Sequence, residues 1–182
     1  MSMGDEAIIK LVGQARHAAN NLAMVLLVNL ESAVAGIPEG TREARQATRA
    51  LEAARAYDGL SRAVLGLWRD ERVTQPRAEH YLAEILPLLS LAAERRLALE
   101  VEEPGTVLEV RRPALDFALL RFAAAMPRGA GTALRLRGGV LEAGWDADEA
   151  TRELLGAAGA AAELFGEGVA LRLPRPAATA RP

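Results

Sequence analysis

Two long runs with an apolar residue every third or fourth position, separated by GIPEGT, constrain this chain more than any other feature. In the first, residues 6 to 35, Leu11, Ala15, Ala18, Leu22, Val25 and Asn29 step by 4, 3, 4, 3 and 4. That alternation is a heptad seam and predicts one helix. At about 1.5 Å per residue the helix is roughly 45 Å long. Gly36, Pro38 and Gly40 then break it. The second run, from about Arg42 to Asp70, places Ala50, Ala53, Tyr57, Leu60, Val64 and Leu67 at steps of 3, 4, 3, 4 and 3, every one apolar. Two long helices joined by a short turn make an antiparallel hairpin. A lone hairpin cannot enclose a core, because each helix has a single neighbour. A second copy, closing a four-helix bundle across a two-fold axis, supplies the missing contacts. A homodimer through residues 1–72 is therefore expected.

The polar stretch DERVTQPRA, residues 70 to 78, marks a boundary, and residues 73–182 carry a mixed pattern. AEHYLAEILPLLSLAAERR predicts a helix over 78–96 that Pro87 bends or interrupts. LALEVEE, 97–103, alternates as a strand, VLEV at 107–110 is a second, and Pro113 to Ala125 form an apolar helix. TALRLRGGVLEAGW predicts two strands turning through Gly138-Gly139. A helix over 147–165 and a last strand, VALRLP at 169–174, complete a small α+β layer. Asp146, Asp148 and Glu149 suit the start of that helix. Gly156 and Gly159 are expected to be close-packing points within it, and Trp68 and Trp145 to anchor the hairpin's end and the sheet.

Composition removes several classes of function. There is no cysteine, so disulfides, iron–sulfur clusters and thiol catalysis are excluded. A net charge of −2 does not suit a general nucleic-acid binder. MSMGDEAIIK lacks the basic start of a signal peptide, and the strongest apolar stretch, LAMVLLVNL, is interrupted by Asn29. The expectation is a cytoplasmic protein with no membrane span.

Within the first helix, RHAANNL places His17 four residues before Asn21, one turn apart on one face. That face flanks seam residue Ala18 and leaves the imidazole at the side of a bundle. A neutral imidazole nitrogen is a nucleophile able to take up and release a phosphoryl group. An amide one turn away orients a water or phosphoryl oxygens without adding charge. The plain alternative is a surface histidine beside tolerated polar residues. Metal binding has less support, since His80 is the only other histidine and no carboxylate–His cluster accompanies either. No strand–turn nucleophile elbow is visible.

The stretch IIKLVGQARHAANNLAMVLLVNLESA resembles the phosphoacceptor helix of bacterial sensor histidine kinases, in the subgroup with a His-Asp-Phe-Asn-Asn-Leu motif. His17, Asn20, Asn21 and Leu22 fall on that motif, and LVNLE matches its continuation. LSRAVLGLWRDERVTQPRAEHYLAEILPLL resembles the second bundle helix and the link into the family's ATP-binding domain. LDFALLRFAAAMPRGAGTALRLR resembles a later segment of that domain. The resemblance covers nearly the whole chain in order and implies a GHKL/ATPase-like α/β sandwich after the bundle.

The departures fall on the nucleotide site. The family's magnesium-holding asparagine has no counterpart in RFAAAMP, its Asp-x-Gly-x-Gly is absent from GVLEAGWDADEA, and GAAGAAAELFGEG does not form its glycine-rich lid. The acidic residue after the family's histidine is Ala18 here. What remains implied is a degenerate, kinase-like histidine phosphotransferase that binds no cofactor itself. His17 would be the phosphoacceptor and Asn21 the orienting amide, with Arg16 and Asn20 contacting response-regulator receiver domains, which bring their own Mg²⁺. Two other readings stay open: a scaffold that captures a regulator without transfer, and an active kinase with an unusual nucleotide site.

Overall fold

The computed structural model describes residues 3–67, 72–166 and 168–177; the side chains of residues 3–13 and of Arg16 lie outside the described set, as does Trp68. The protein is a mixed α+β chain that divides into two units, Met1–Trp68 and Arg69–Pro182.

The first unit is helical. Helix α1 spans Met3–Gly36 and α2 spans Arg42–Leu67. Between them Gly40 takes a positive φ of 78°. Thr41 caps α2: its hydroxyl accepts from the Ala44 N–H at 3.0 Å and donates to the Pro38 carbonyl at 2.9 Å. The more covered positions are Ala19, Ala23, Leu27, Leu30 and Val34 on α1 and Ala44, Ala47, Leu51, Ala54, Asp58, Ser61 and Leu65 along one side of α2, with Ala63 and Gly66 also buried near its end. Arg55 ties the pair at the rim with a 2.7 Å bond to Glu31. The buried Asp58 is paired with Arg62, one turn on.

This seam differs from the one read in the sequence. On α2 it sits one residue further along, about 100° round the helix. Most positions expected to pack are instead open, with Leu22 73 %, Val25 56 % and Tyr57 66 % exposed, while Leu60 and Leu67 are half-buried and the Leu11 side chain lies outside the described residues. Each helix carries two adjoining apolar stripes, and the hairpin covers one. The expectation that no segment is long and apolar enough to cross a bilayer is corrected as well. His17–Gly36, twenty residues of mean hydropathy 1.3, passes that test by length and composition. Asn29 does not lower the average enough to prevent it.

The second unit comprises β1 (Arg72–Thr74), α3 (Ala78–Ala92), β2 (Ala98–Glu103), β3 (Val110–Arg112), α4 (Ala114–Ala124), β4 (Ala133–Arg137), β5 (Val140–Ala143), α5 (Glu149–Ala157), β6 (Ala161–Phe165) and β7 (Gly168–Arg172). A five-stranded sheet runs β2-β4-β5-β7-β6, and β1 pairs with β3 in a separate ribbon. Only β2–β4 is parallel; the other pairs of the large sheet are antiparallel. Leu134, Leu136, Leu141, Val169 and Leu171 point from the strands into one core shared with Tyr81, Leu82, Ile85, Leu115, Leu119 and Phe122 of α3 and α4. The opposite sheet face carries charged pairs across neighbouring strands: Arg135–Glu100, Arg137–Glu102 and Arg172–Glu163. Alternation of period two thus produces a two-layer unit with one wet sheet face.

Several local expectations change. α3 runs through Pro87 without a break. At VLEV, Val107 makes only an isolated bridge to Arg77, and the continuous ladder begins at Val110. The helix expected over 147–165 stops at Ala157, where Gly159 turns the chain with φ 84°, and Ala161 to Phe165 pair with β7. Gly156 has open space around it, so close packing does not explain it. Gly138-Gly139 close the β4–β5 hairpin as expected, with Arg137 opposite Val140. Trp145 is buried, stacks on Phe122 at 4.9 Å and donates Nε1–H to the Phe122 carbonyl at 3.2 Å. Asp148 caps α5, accepting from the Thr151 N–H at 2.7 Å.

Candidate functional site

Helix α1 fixes the relative positions of the candidate residues. With 3.6 residues per turn, His17, Asn21, Met24 and Val28 form one stripe, on the side away from the apolar sector that begins at Ala19, Leu22, Ala23 and Leu26. All four residues of the stripe are exposed. Asn20 is exposed too, but lies between this stripe and the α2-facing seam. Among the described residues none hydrogen-bonds to the His17 ring or to the amides of Asn20 and Asn21. Arg16 lies on the same helical turn, its side chain outside the described residues. Ala18 is also exposed, so no carboxylate stands at the position directly after the histidine.

The chemistry available to this stripe is that of an accessible imidazole with an amide one turn along. The ring can attack an electrophile delivered from solution or by another macromolecule, and the Asn21 amide can donate to oxygens on it. Among the described side chains the helix contributes no further acid or base at this level. Among the described residues no cluster of three or more His, Asp or Glu side chains suits a metal ion. His80, on α3, is exposed.

In the second unit, RFAAAMP forms the end of α4 and the turn after it. The segments joining β5 to α5 (144–148) and α5 to β6 (158–160) are short. A groove of about 510 Å³ between α3 and α4 is lined by Leu88, Leu91, Phe117 and Leu120, with Arg121 at its rim. A second, more enclosed recess of about 610 Å³ lies on the wet sheet face, beside Arg135, Glu142 and Phe165.

One polar group was not foreseen. Arg112 is 4 % exposed, and its Nε donates to Asp116 at 2.9 Å while Nη1 donates to Glu84 at 2.8 Å. The Tyr81 hydroxyl donates to the other Asp116 oxygen at 2.9 Å, and the guanidinium lies 5.4 Å from the Tyr81 ring centroid. Burial, then the charge and hydrogen bond of Asp116, hold the Tyr81 hydroxyl well above the usual phenol range. Burial opposes the charge on Arg112, but hydrogen bonds to Asp116 and Glu84 outweigh it and raise its pKa. The cluster fastens β3 to α3 and α4 inside the core and is structural. A signal for it existed in the sequence: an arginine and an aspartate four residues apart at the start of an otherwise apolar helix.

No protein-family model matches the chain, and no curated protein matches it significantly.

Proposed function

We propose that this chain is a histidine phosphotransfer protein of a two-component phosphorelay, working as a homodimer and passing a phosphoryl group between response-regulator receiver domains. The observation that supports this most is the placement of His17. Its ring is exposed, with Asn21 one turn along, on the side of α1 opposite the apolar sector. In a bundle of two hairpins that sector is the interior, so the histidine stripe stays on the outer surface.

In the forward step a lone pair on the neutral His17 ring attacks the phosphorus of a receiver's aspartyl phosphate. A P–N bond forms, the acyl P–O bond breaks, and the aspartate leaves as a carboxylate. The positive charge left on the ring is removed by losing its N–H proton to water. The Asn21 amide donates to a phosphoryl oxygen and keeps the group in line. Delivery to a second receiver reverses these steps. The receiver's pocket carries the Mg²⁺ that offsets charge on the transferring group, so the chain needs no nucleotide or cofactor of its own. The second unit, a mixed sheet covered by helices on one face, agrees with a degenerate GHKL-like domain. Short connections around α5 leave little chain for a nucleotide lid.

The test is direct. Full-length protein is incubated with a ³²P-phosphorylated receiver domain and Mg²⁺. Label is expected on wild type and not on His17→Gln, and Asn21→Ala is expected to slow the transfer. Ala18, where the family has an acid, favours a second reading, a scaffold that holds a regulator without chemistry. Tight binding with no labelled protein would establish the scaffold and reject transfer. Heat released on titration with Mg-ATP, followed by labelling of His17, would instead identify a kinase.

A further inference from the structure

The wet face of the large sheet is tied by Arg–Glu pairs on neighbouring strands, and Glu142 of β5 is left out of them. Arg135 stands directly opposite Glu142 in the β4–β5 register, yet its Nε donates to Glu100 of β2 at 3.1 Å. Arg137, the next arginine along β4, donates to Glu102 at 3.0 Å and 2.6 Å. Arg172 of β7 donates to Glu163 of β6 at 2.8 Å. Among the described residues no cation pairs with Glu142. Its carboxylate is half-buried on the middle strand of the sheet. A partly dehydrated carboxylate without a partner is a ready acceptor for a cation brought from outside.

Glu142 lines the 610 Å³ recess, of which four further lining residues are glycines and Phe165 another. Two of the glycines have a structural reason. Gly166 takes φ 59°, and a Cβ on Gly168 would collide with the Ala143 carbonyl. Gly131 and Gly144 have neither reason. A Cβ on Gly131 would meet nothing within 4 Å, and one on Gly144 would come no closer than 3.9 Å, to the Gly131 nitrogen. What these two positions preserve is the open space itself. Phe165, 55 % exposed, brings a ring to a face otherwise given to charged pairs.

Sheet geometry sets the shape of what fits. β7 lies between β5 and β6, so Glu142 and Phe165 stand about 10 Å apart across the sheet. A bare ammonium ion reaches one and not the other. A flat ring carrying an amine on a short arm can reach both. A nucleotide suits the recess poorly, because its phosphates would meet Glu142 while Arg135 is engaged with Glu100.

We propose that this recess binds a small aromatic amine, its ammonium group paired with Glu142 and its ring lying over Gly144 against Phe165. The site lies wholly within the second unit and is independent of the phosphotransfer reading.

Amide-shift NMR titration of the full chain with tryptamine tests this, with indole-3-propionate as a probe of like ring and opposite charge. Tryptamine is expected to saturate at about 1 mM or tighter, the range open to a ligand of its size. The shifts should centre on Gly131, Gly144 and Gly166. Indole-3-propionate is expected to bind at least about tenfold more weakly. Glu142→Gln keeps the shape, removes the charge, and should weaken tryptamine by at least about tenfold. Glu100→Gln frees Arg135 to turn to Glu142 and should weaken it by about threefold. Gly144→Leu places a side chain in the recess and should abolish binding. Should Gly144→Leu fail to fold, the two probes and Glu142→Gln still decide. No saturable shift with tryptamine, shifts centred elsewhere, equal affinity for both probes, or an affinity untouched by Glu142→Gln overturns the proposal.

Discussion

Replacing Asp116 with alanine probes the energetic centre of the second unit. The carboxylate is 1 % exposed and accepts from both the Tyr81 hydroxyl and Arg112 Nε at 2.9 Å. Asp116→Ala leaves Arg112 buried with Glu84 as its one remaining carboxylate partner, and Glu84 is half open to water. Removing one member of a buried ion pair costs about 3–5 kcal/mol, mostly as the penalty of the stranded charge. For a unit of this size that is a fall in Tm of roughly 10–20 °C. Thermal and urea denaturation followed by circular dichroism measure it. The double variant Asp116→Ala/Arg112→Met removes both charges, so its cost should fall short of the sum of the single variants by about 1–3 kcal/mol. A loss below about 1 kcal/mol for Asp116→Ala, or a double variant that is simply additive, would refute the claim that Arg112 depends on a dry partner.

Two further outcomes test the fold. A Cβ on Gly168 would lie 2.0 Å from the Ala143 carbonyl oxygen, so Gly168→Ala must push β5 and β7 apart. A loss of about 2 kcal/mol or more is expected, with amide exchange accelerating first in those strands. Asp148→Ala removes the cap of α5 and should lower Tm at neutral pH. Hydrogen bonds from Thr151 hold the Asp148 carboxyl below the usual carboxylate range. Its contribution is therefore complete above the unfolded carboxyl value near 4 and is lost as pH falls through the lower folded value. The Tm difference between wild type and Asp148→Ala should shrink over that acid range, and a difference that stays constant with pH would contradict the capping role.

What the sequence determined by itself was whatever depends on near neighbours. The three-four spacing made α1 and α2 helical, GIPEGT separated them, Gly138-Gly139 reversed the β4–β5 hairpin, and Asp148 began α5. The i, i+4 placement of His17 and Asn21 on one face follows from the helix alone. The exposure of that face required the packing of α2. Tertiary structure also decided which of two adjoining apolar stripes each helix buries against the other, since both satisfy the same period and differ by about one residue of rotation. It turned Ala-rich AAELF into β6, because pairing along β7 outweighs alanine's preference for helix. It gathered Tyr81, Glu84, Arg112 and Asp116 from three elements into one buried cluster. Backbone geometry is set over a few residues, whereas burial and ion pairing are set by segments that meet only after the chain has closed on itself.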